Sequence, residues 1–199
     1  MKDKALKITQ LVIGCIAAVV AVFYLVVSIL NLTSLSGDNT ATGNVYIVIT
    51  SLIGLLGVAC FVFVSLFTIK GYIKDFVAKK WAIYGLIGML CVEVLSTFIG
   101  MCFWGFGSAL GWIVTVFGIG GIVVLVLTLT GKYDEMVVTV LELVGCAISF
   151  VISIMLLANA RNVGIALDLF LMFFSMAVGV YLILELIFDQ EVKPAAKEE

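Results

Sequence analysis

Six stretches of this chain, at about 8–32, 45–69, 82–103, 111–130, 137–158 and 164–188, run on with almost no charge. A helix rising ~1.5 Å per residue needs about 20 residues to cross a hydrocarbon layer about 30 Å thick, and each stretch is long enough. In lipid no water is at hand for backbone N–H and C=O groups, so an apolar run of this length closes its hydrogen bonds within itself, as a helix. Composition agrees. The chain is 64% hydrophobic and 12% charged with a mean hydropathy of +1.30, against roughly 45–50% and about 25% for soluble domains. The expected fold is an all-α integral membrane protein, a compact bundle of six transmembrane helices arranged as three hairpins over residues 1–188. A short polar tail, 189–199, holds the single proline.

Lys2, Asp3, Lys4 and Lys7 precede the first apolar run. A cleaved secretory signal has an apolar core of only about 7–15 residues, so this longer run is expected to be kept as the first helix. Basic residues accumulate on the cytoplasmic side of membranes. Ten of the eleven fall in alternate connections: Lys2, Lys4 and Lys7; Lys70, Lys74, Lys79 and Lys80; Lys132; and Lys193 and Lys197 in the tail, with Arg161 alone opposite. Both termini are therefore expected to be cytoplasmic, in a plasma membrane. Trp81, Trp104 and Trp112 lie at span ends, where amphipathic rings anchor in headgroups. Asn31-Leu32-Thr33 matches a glycosylation acceptor but abuts the end of a span, and is read as a helix-end polar group.

Several functions are disfavoured. A net charge of −2 and a pI of about 5.1 leave no basic surface for nucleic acid. The chain has no histidine, and its five cysteines (Cys15, Cys60, Cys91, Cys102, Cys146) fall inside apolar runs without metal-ligand spacing. No catalytic group, cofactor or metal site is expected.

Lipid tails are as apolar as leucine, so helices associate through close backbone approach over small residues and through interhelical hydrogen bonds. Five spans carry small or weakly polar stripes at helical spacing. These are Gly14, Ala18, Ala21 and Ser28; Thr50, Gly54 and Gly57; Gly111, Thr115 and Gly118; Gly145, Ser149 and Ser153; and Gly164, Asp168, Ser175 and Gly179. Most are expected to pack inside the bundle, and a surplus stripe would dock a partner protein or a second copy. Ala17 and Ala21, one helical turn apart, are a spacing too common in apolar helices to mark a family.

The acids are the most pointed feature. Glu93 lies near the middle of LIGMLCVEVLSTFIG (86–100), with Ser96 and Thr97 on its general face and no basic residue nearby. An isolated carboxylate there is disfavoured as the anion, and the group is expected to carry its proton and donate a hydrogen bond unless water or a cation reaches it. Intramembrane acids are functional candidates by default, so Glu93 with Ser96 and Thr97 forms the leading candidate proton or cation site. Glu142 and Glu185 stand nearer the cytoplasmic ends of their spans and are weaker candidates, read as a solvated interfacial pair close to Lys132. Asp168 and Arg161 are expected to pair at the opposite end of the last span. The lysines at 70, 74, 79 and 80 alternate with Tyr72, Ile73, Phe76 and Val77, a pattern suited to a helix lying along anionic headgroups.

Two readings follow. The first is a non-enzymatic subunit or accessory protein that packs with a partner inside the bilayer. The alternative is a small transporter or channel using Glu93.

Overall fold

A computed structural model describes residues 2–35, 40–74, 78–159 and 163–190 of the chain. Six helices follow one another: α1 (Lys2–Thr33), α2 (Ala41–Lys74), α3 (Lys79–Trp104), α4 (Ala109–Thr130), α5 (Glu135–Asn159) and α6 (Val163–Gln190). All six are long and apolar enough to cross a membrane. Except at the end of α4, which falls at 130 as expected, the observed ends lie beyond the expected ones, most at the start of α1 and the end of α2. The difference has a simple cause: lysines and other straight-chain residues are good helix formers, so a helix need not stop where the apolar run does. Lys70 and Lys74 consequently prolong α2, and no separate helix lies along 70–74. Residues 75–77, Arg161 and residues 191–199 are outside the described segments, and with them the expected Asp168–Arg161 pair and most of the polar tail.

Local chemistry ends the helices. Thr40 Oγ1 accepts from the Gly43 N–H at 3.1 Å at the start of α2, and Ser108 Oγ accepts from the Gly111 N–H at 3.1 Å at the start of α4. The Asp134 carboxylate accepts from the Met136 N–H at 2.9 Å before α5. Each satisfies an N–H that a first helical turn leaves without a partner. Gly105 (φ 100°) and Gly131 (φ 61°) end α3 and α4 in backbone conformations that a side chain would strain.

Each helix packs against its neighbours in the chain, and α1 packs against α6, so the six form a ring. The tightest contact is α1 with α2 and the loosest is α4 with α5. The core sits on one side of the ring, where Ile13, Ala17, Val20 and Ala21 of α1 meet Phe61 and Val64 of α2 and Phe174, Tyr181 and Leu182 of α6. Ala17 is 0% exposed. Phe61 stands between Tyr24 and Phe174, with ring centroids 5.4 Å and 5.6 Å away.

Glycines mark where backbones approach. A Cβ on Gly14 would lie 2.5 Å from Thr68 Oγ1, one on Gly54 would collide with the Ser28 side chain, and one on Gly57 would touch Tyr24 and Val92. Gly85 and Gly88 seat α3 on α2, against Val64 and Cys60. Gly111 and Gly118 seat α4 on α3, against Met101 and Val94. Of the glycines expected to pack, Gly145 and Gly179 differ: an added Cβ there would meet nothing within 4 Å. They are not points of close helix approach, which corrects the packing role expected of them. Aromatic rings gather at both ends: Trp81 stacks on Phe67 (4.9 Å), while Trp104 meets Tyr46 edge-on (5.6 Å) and Trp112 donates to the Phe106 carbonyl at 3.0 Å.

Candidate functional site

A cavity of about 380 Å³ lies within the ring and is lined by all six helices. Its wall is mostly aliphatic and aromatic. On α3 the lining residues are Lys79, Ala82, Ile83, Leu86, Met89, Leu90 and Glu93, which recur at helical spacing and so form one face. The fourteen steps from Lys79 to Glu93 correspond to about 21 Å of helix. The cavity is thus elongated: on α3 its wall runs from the start of the helix to about mid-span, and on α5 from Leu141 to Leu156, close to that helix's far end.

The wall of α5 is unusually broad, including Glu142, Gly145, Cys146, Ser149, Ile152 and Ser153. The small stripe of that helix, Gly145, Ser149 and Ser153, therefore borders the cavity, with open space at Gly145 and with Ser153 largely covered. Facing it on α4 are Val114, Phe117, Gly118, Gly121 and Val124. Phe117, Leu141 and Val144 line the cavity and are also exposed, where α4 and α5 make their loose contact.

A polar cluster occupies one end. Lys79 donates to Glu185 Oε2 at 2.7 Å and lies 3.8 Å from Glu142 Oε2. Thr128 Oγ1 donates to Glu142 Oε1 at 2.5 Å and also reaches the Val124 carbonyl at 3.1 Å. Four helices, α3 to α6, meet in these four side chains. Beside them Gln10 Nε2 donates to the Thr68 carbonyl at 3.0 Å, tying α1 to α2 at the same end of the cavity.

This cluster corrects the sequence reading in two respects. Glu142 is only 7% exposed, so it is a buried group and not half of a solvated pair. The ammonium that Glu142 and Glu185 share is that of Lys79, not Lys132. Lys79 accordingly leaves the group of lysines expected at headgroups. Lys70, Lys74 and Lys80 remain on the exposed surface, with Lys70 5.8 Å from the centre of the Phe67 ring.

Glu93 faces the cavity some four helical turns from Lys79. Among the described residues it has no hydrogen-bond or ion-pair partner, and Tyr24 of α1 and Asp168 of α6 lie within electrostatic range. Ser96 and Thr97 do not join it there. Thr97 instead borders a second, open pocket near Gly100, Trp104 and Ser108 at the far end of the molecule. The physical reason is pitch: Thr97 is a further turn along α3, past the point where the Val94 side chain and Gly118 close α3 onto α4.

Gln10, Lys79, Thr128 and Tyr181 escaped the sequence reading of the site. Lys79 had a readable signal, since it lies fourteen residues, close to four whole turns, before Glu93 and so shares its face. No group of three or more His, Cys, Asp or Glu suited to holding a metal ion exists among the described residues. No protein-family model, curated protein or solved structure matches the chain.

Proposed function

We propose that this chain is a non-enzymatic membrane transporter or channel-like carrier that binds a small molecule in the cavity, with Glu93 as its proton- or cation-linked group. The observation carrying this reading is a hollow that all six helices share, with a carboxyl group at mid-span that has no hydrogen-bond or ion-pair partner among the described residues. An apolar pocket with a few convergent polar groups is the usual form of a small-molecule site, and this volume lies at the lower end of the roughly 300–1,000 Å³ typical of one. A carboxyl group kept only for packing would be expected to find a neighbouring hydroxyl or carbonyl, because the unsatisfied group costs free energy in an apolar setting. Alternation of lysines along the sequence supports three hairpins with both termini cytoplasmic, and the polar cluster then lies toward the cytoplasm. Lys70, Lys74 and Lys80 fit a contact with anionic lipid there.

The accessory-subunit reading has less to rest on. Gly14, Gly54, Gly57, Gly111 and Gly118 are engaged within the chain, and the Gly145 stripe borders the cavity. Neither group is free to dock a partner or a second copy, and of the stripe glycines Gly179 lies outside both.

Purification in lipid nanodiscs, followed by native mass spectrometry, separates the two readings. The expected result is one small molecule bound per chain. A stoichiometric protein partner with an empty cavity would overturn the carrier reading in favour of the accessory one.

A further inference from the structure

The cavity has a sign. Of the charged groups that line it, Glu93 has no ion-pair partner among the described residues, while Lys79 is held by two carboxylates, Glu142 and Glu185. One ammonium against two carboxylates leaves that end with an excess of negative charge. An anionic ligand would enter the apolar interior with no free positive group to meet it, and an uncompensated charge there is costly.

The wall between the two ends selects the kind of cation. Inorganic divalent ions require about six to eight oxygen ligands, or a near-octahedral set that keeps several waters. Beside Leu86, Met89 and Leu90 of Glu93's own helix, the polar groups that the mid-span lining offers are the hydroxyls of Ser149, Ser153 and Ser175, too few to complete such a set. An organic cation carries its own apolar surface and is weakly hydrated. Phe117, Phe174 and Tyr181 line the same space, and aromatic faces attract such cations through the ring quadrupole. Its loose α4–α5 side is bordered by Phe117, Leu141 and Val144, an apolar approach suited to a solute that partitions into lipid.

Building on the reading of the cavity as a ligand site, we propose that it takes an apolar organic cation, an amine or quaternary ammonium, and that the Glu93 carboxylate is its counter-charge. The cation and the carboxylate together are neutral, so the pair resides in the apolar interior at far lower cost than either alone.

The test is equilibrium binding to the full chain in nanodiscs, with binding to empty nanodiscs subtracted. Three probes of similar bulk are compared: benzyltriethylammonium (cationic), N,N-diethylbenzamide (uncharged) and 4-tert-butylbenzoate (anionic). Saturable binding of the ammonium at one site per chain, ahead of the amide and with the benzoate weakest, is expected on the unmodified protein. Glu93→Gln should weaken the ammonium at least tenfold and leave the amide unchanged, which also establishes that the variant's cavity is intact. Amide or benzoate binding as tight as the ammonium, or ammonium binding indifferent to Glu93→Gln, overturns the cationic class while the cavity stands as a ligand site. If no probe binds, both readings fall. The order of the three probes on the unmodified chain decides the class even if Glu93→Gln does not fold.

Discussion

The two sides of the helix ring solve the same problem differently. On the side of α1, α2 and α6, glycines and alanines let backbones close up and large side chains interlock, with Val20, Val64 and Phe61 left almost no exposed surface. Between α4 and α5 the helix contact is the loosest in the ring, Gly145 of α5 borders empty space, and side chains meet a cavity. Both sides are equally apolar, so hydropathy does not separate them. What differs is whether small residues on one helix face large residues on the next. In a bilayer that complementarity supplies most of the association energy, because removal from water contributes nothing between helices already in lipid.

Truncating one large side chain on each side should expose this difference most strongly. Phe61→Ala removes a benzyl-sized volume of about 100 Å³ from the packed side, and at about 24 cal/mol per Å³ of residual cavity it should cost about 2.4 kcal/mol. Ile148→Ala, on the α5 wall of the cavity, enlarges a space that already exists and should stay within about 0.5 kcal/mol. Reversible unfolding in mixed detergent or by steric trapping measures both. Equal costs would mean that the cavity side is as tightly packed in the membrane as the core side.

A smaller effect is expected at the polar cluster, the main tie across the hollow side. Lys79 and Glu185 are about one-quarter exposed, at 25% and 28%, so their coupling is screened and should fall near the upper end of the roughly 0.2–1 kcal/mol found for accessible pairs. A double-mutant cycle with Lys79→Met and Glu185→Gln isolates it. Glu142→Gln should raise that coupling, since Glu142 then no longer competes for the same ammonium. A coupling of zero would mean that the Lys79–Glu185 contact does not help hold α3 to α6.

Much of the packed side was legible in the sequence, and much of the hollow side was not. Gly14, Gly54, Gly57, Gly111 and Gly118 announce close approach because a glycine in an apolar helix has few other uses, and each lies against a neighbouring helix. Gly145 carries the same local signal and means something else. Its setting depends on how far α4 stands from α5, a property of the whole ring that one helix's periodicity does not contain. The same limit applies to the acids. Glu93 stood out because it breaks a long apolar run, whereas pairing of Glu142 and Glu185 with Lys79 requires three helix ends, distant in sequence, to meet. Placing the start of α3 at 82 rather than 79 also hid Lys79 from the face it shares with Glu93.

The smallest expected change in stability is also the most discriminating. Gly145→Leu would ordinarily be a severe change on a small-residue stripe, where overpacking costs about 1–3 kcal/mol, and a stripe that docked a neighbour would make assembly fail. Here an added Cβ meets nothing within 4 Å, and the leucine side chain has the cavity to occupy. Unfolding stability should therefore stay within about 0.5 kcal/mol of the unmodified chain. Occupancy should not: the leucine takes part of the volume of about 380 Å³, and saturable binding of benzyltriethylammonium should be lost or weakened severalfold. Stability preserved and binding lost would separate the roles of the two sides, one holding the fold and the other holding the ligand. A large loss of stability would instead show that α5 closes onto α4 in the membrane, and that its small residues serve the packing which the same residues serve in α1 and α2.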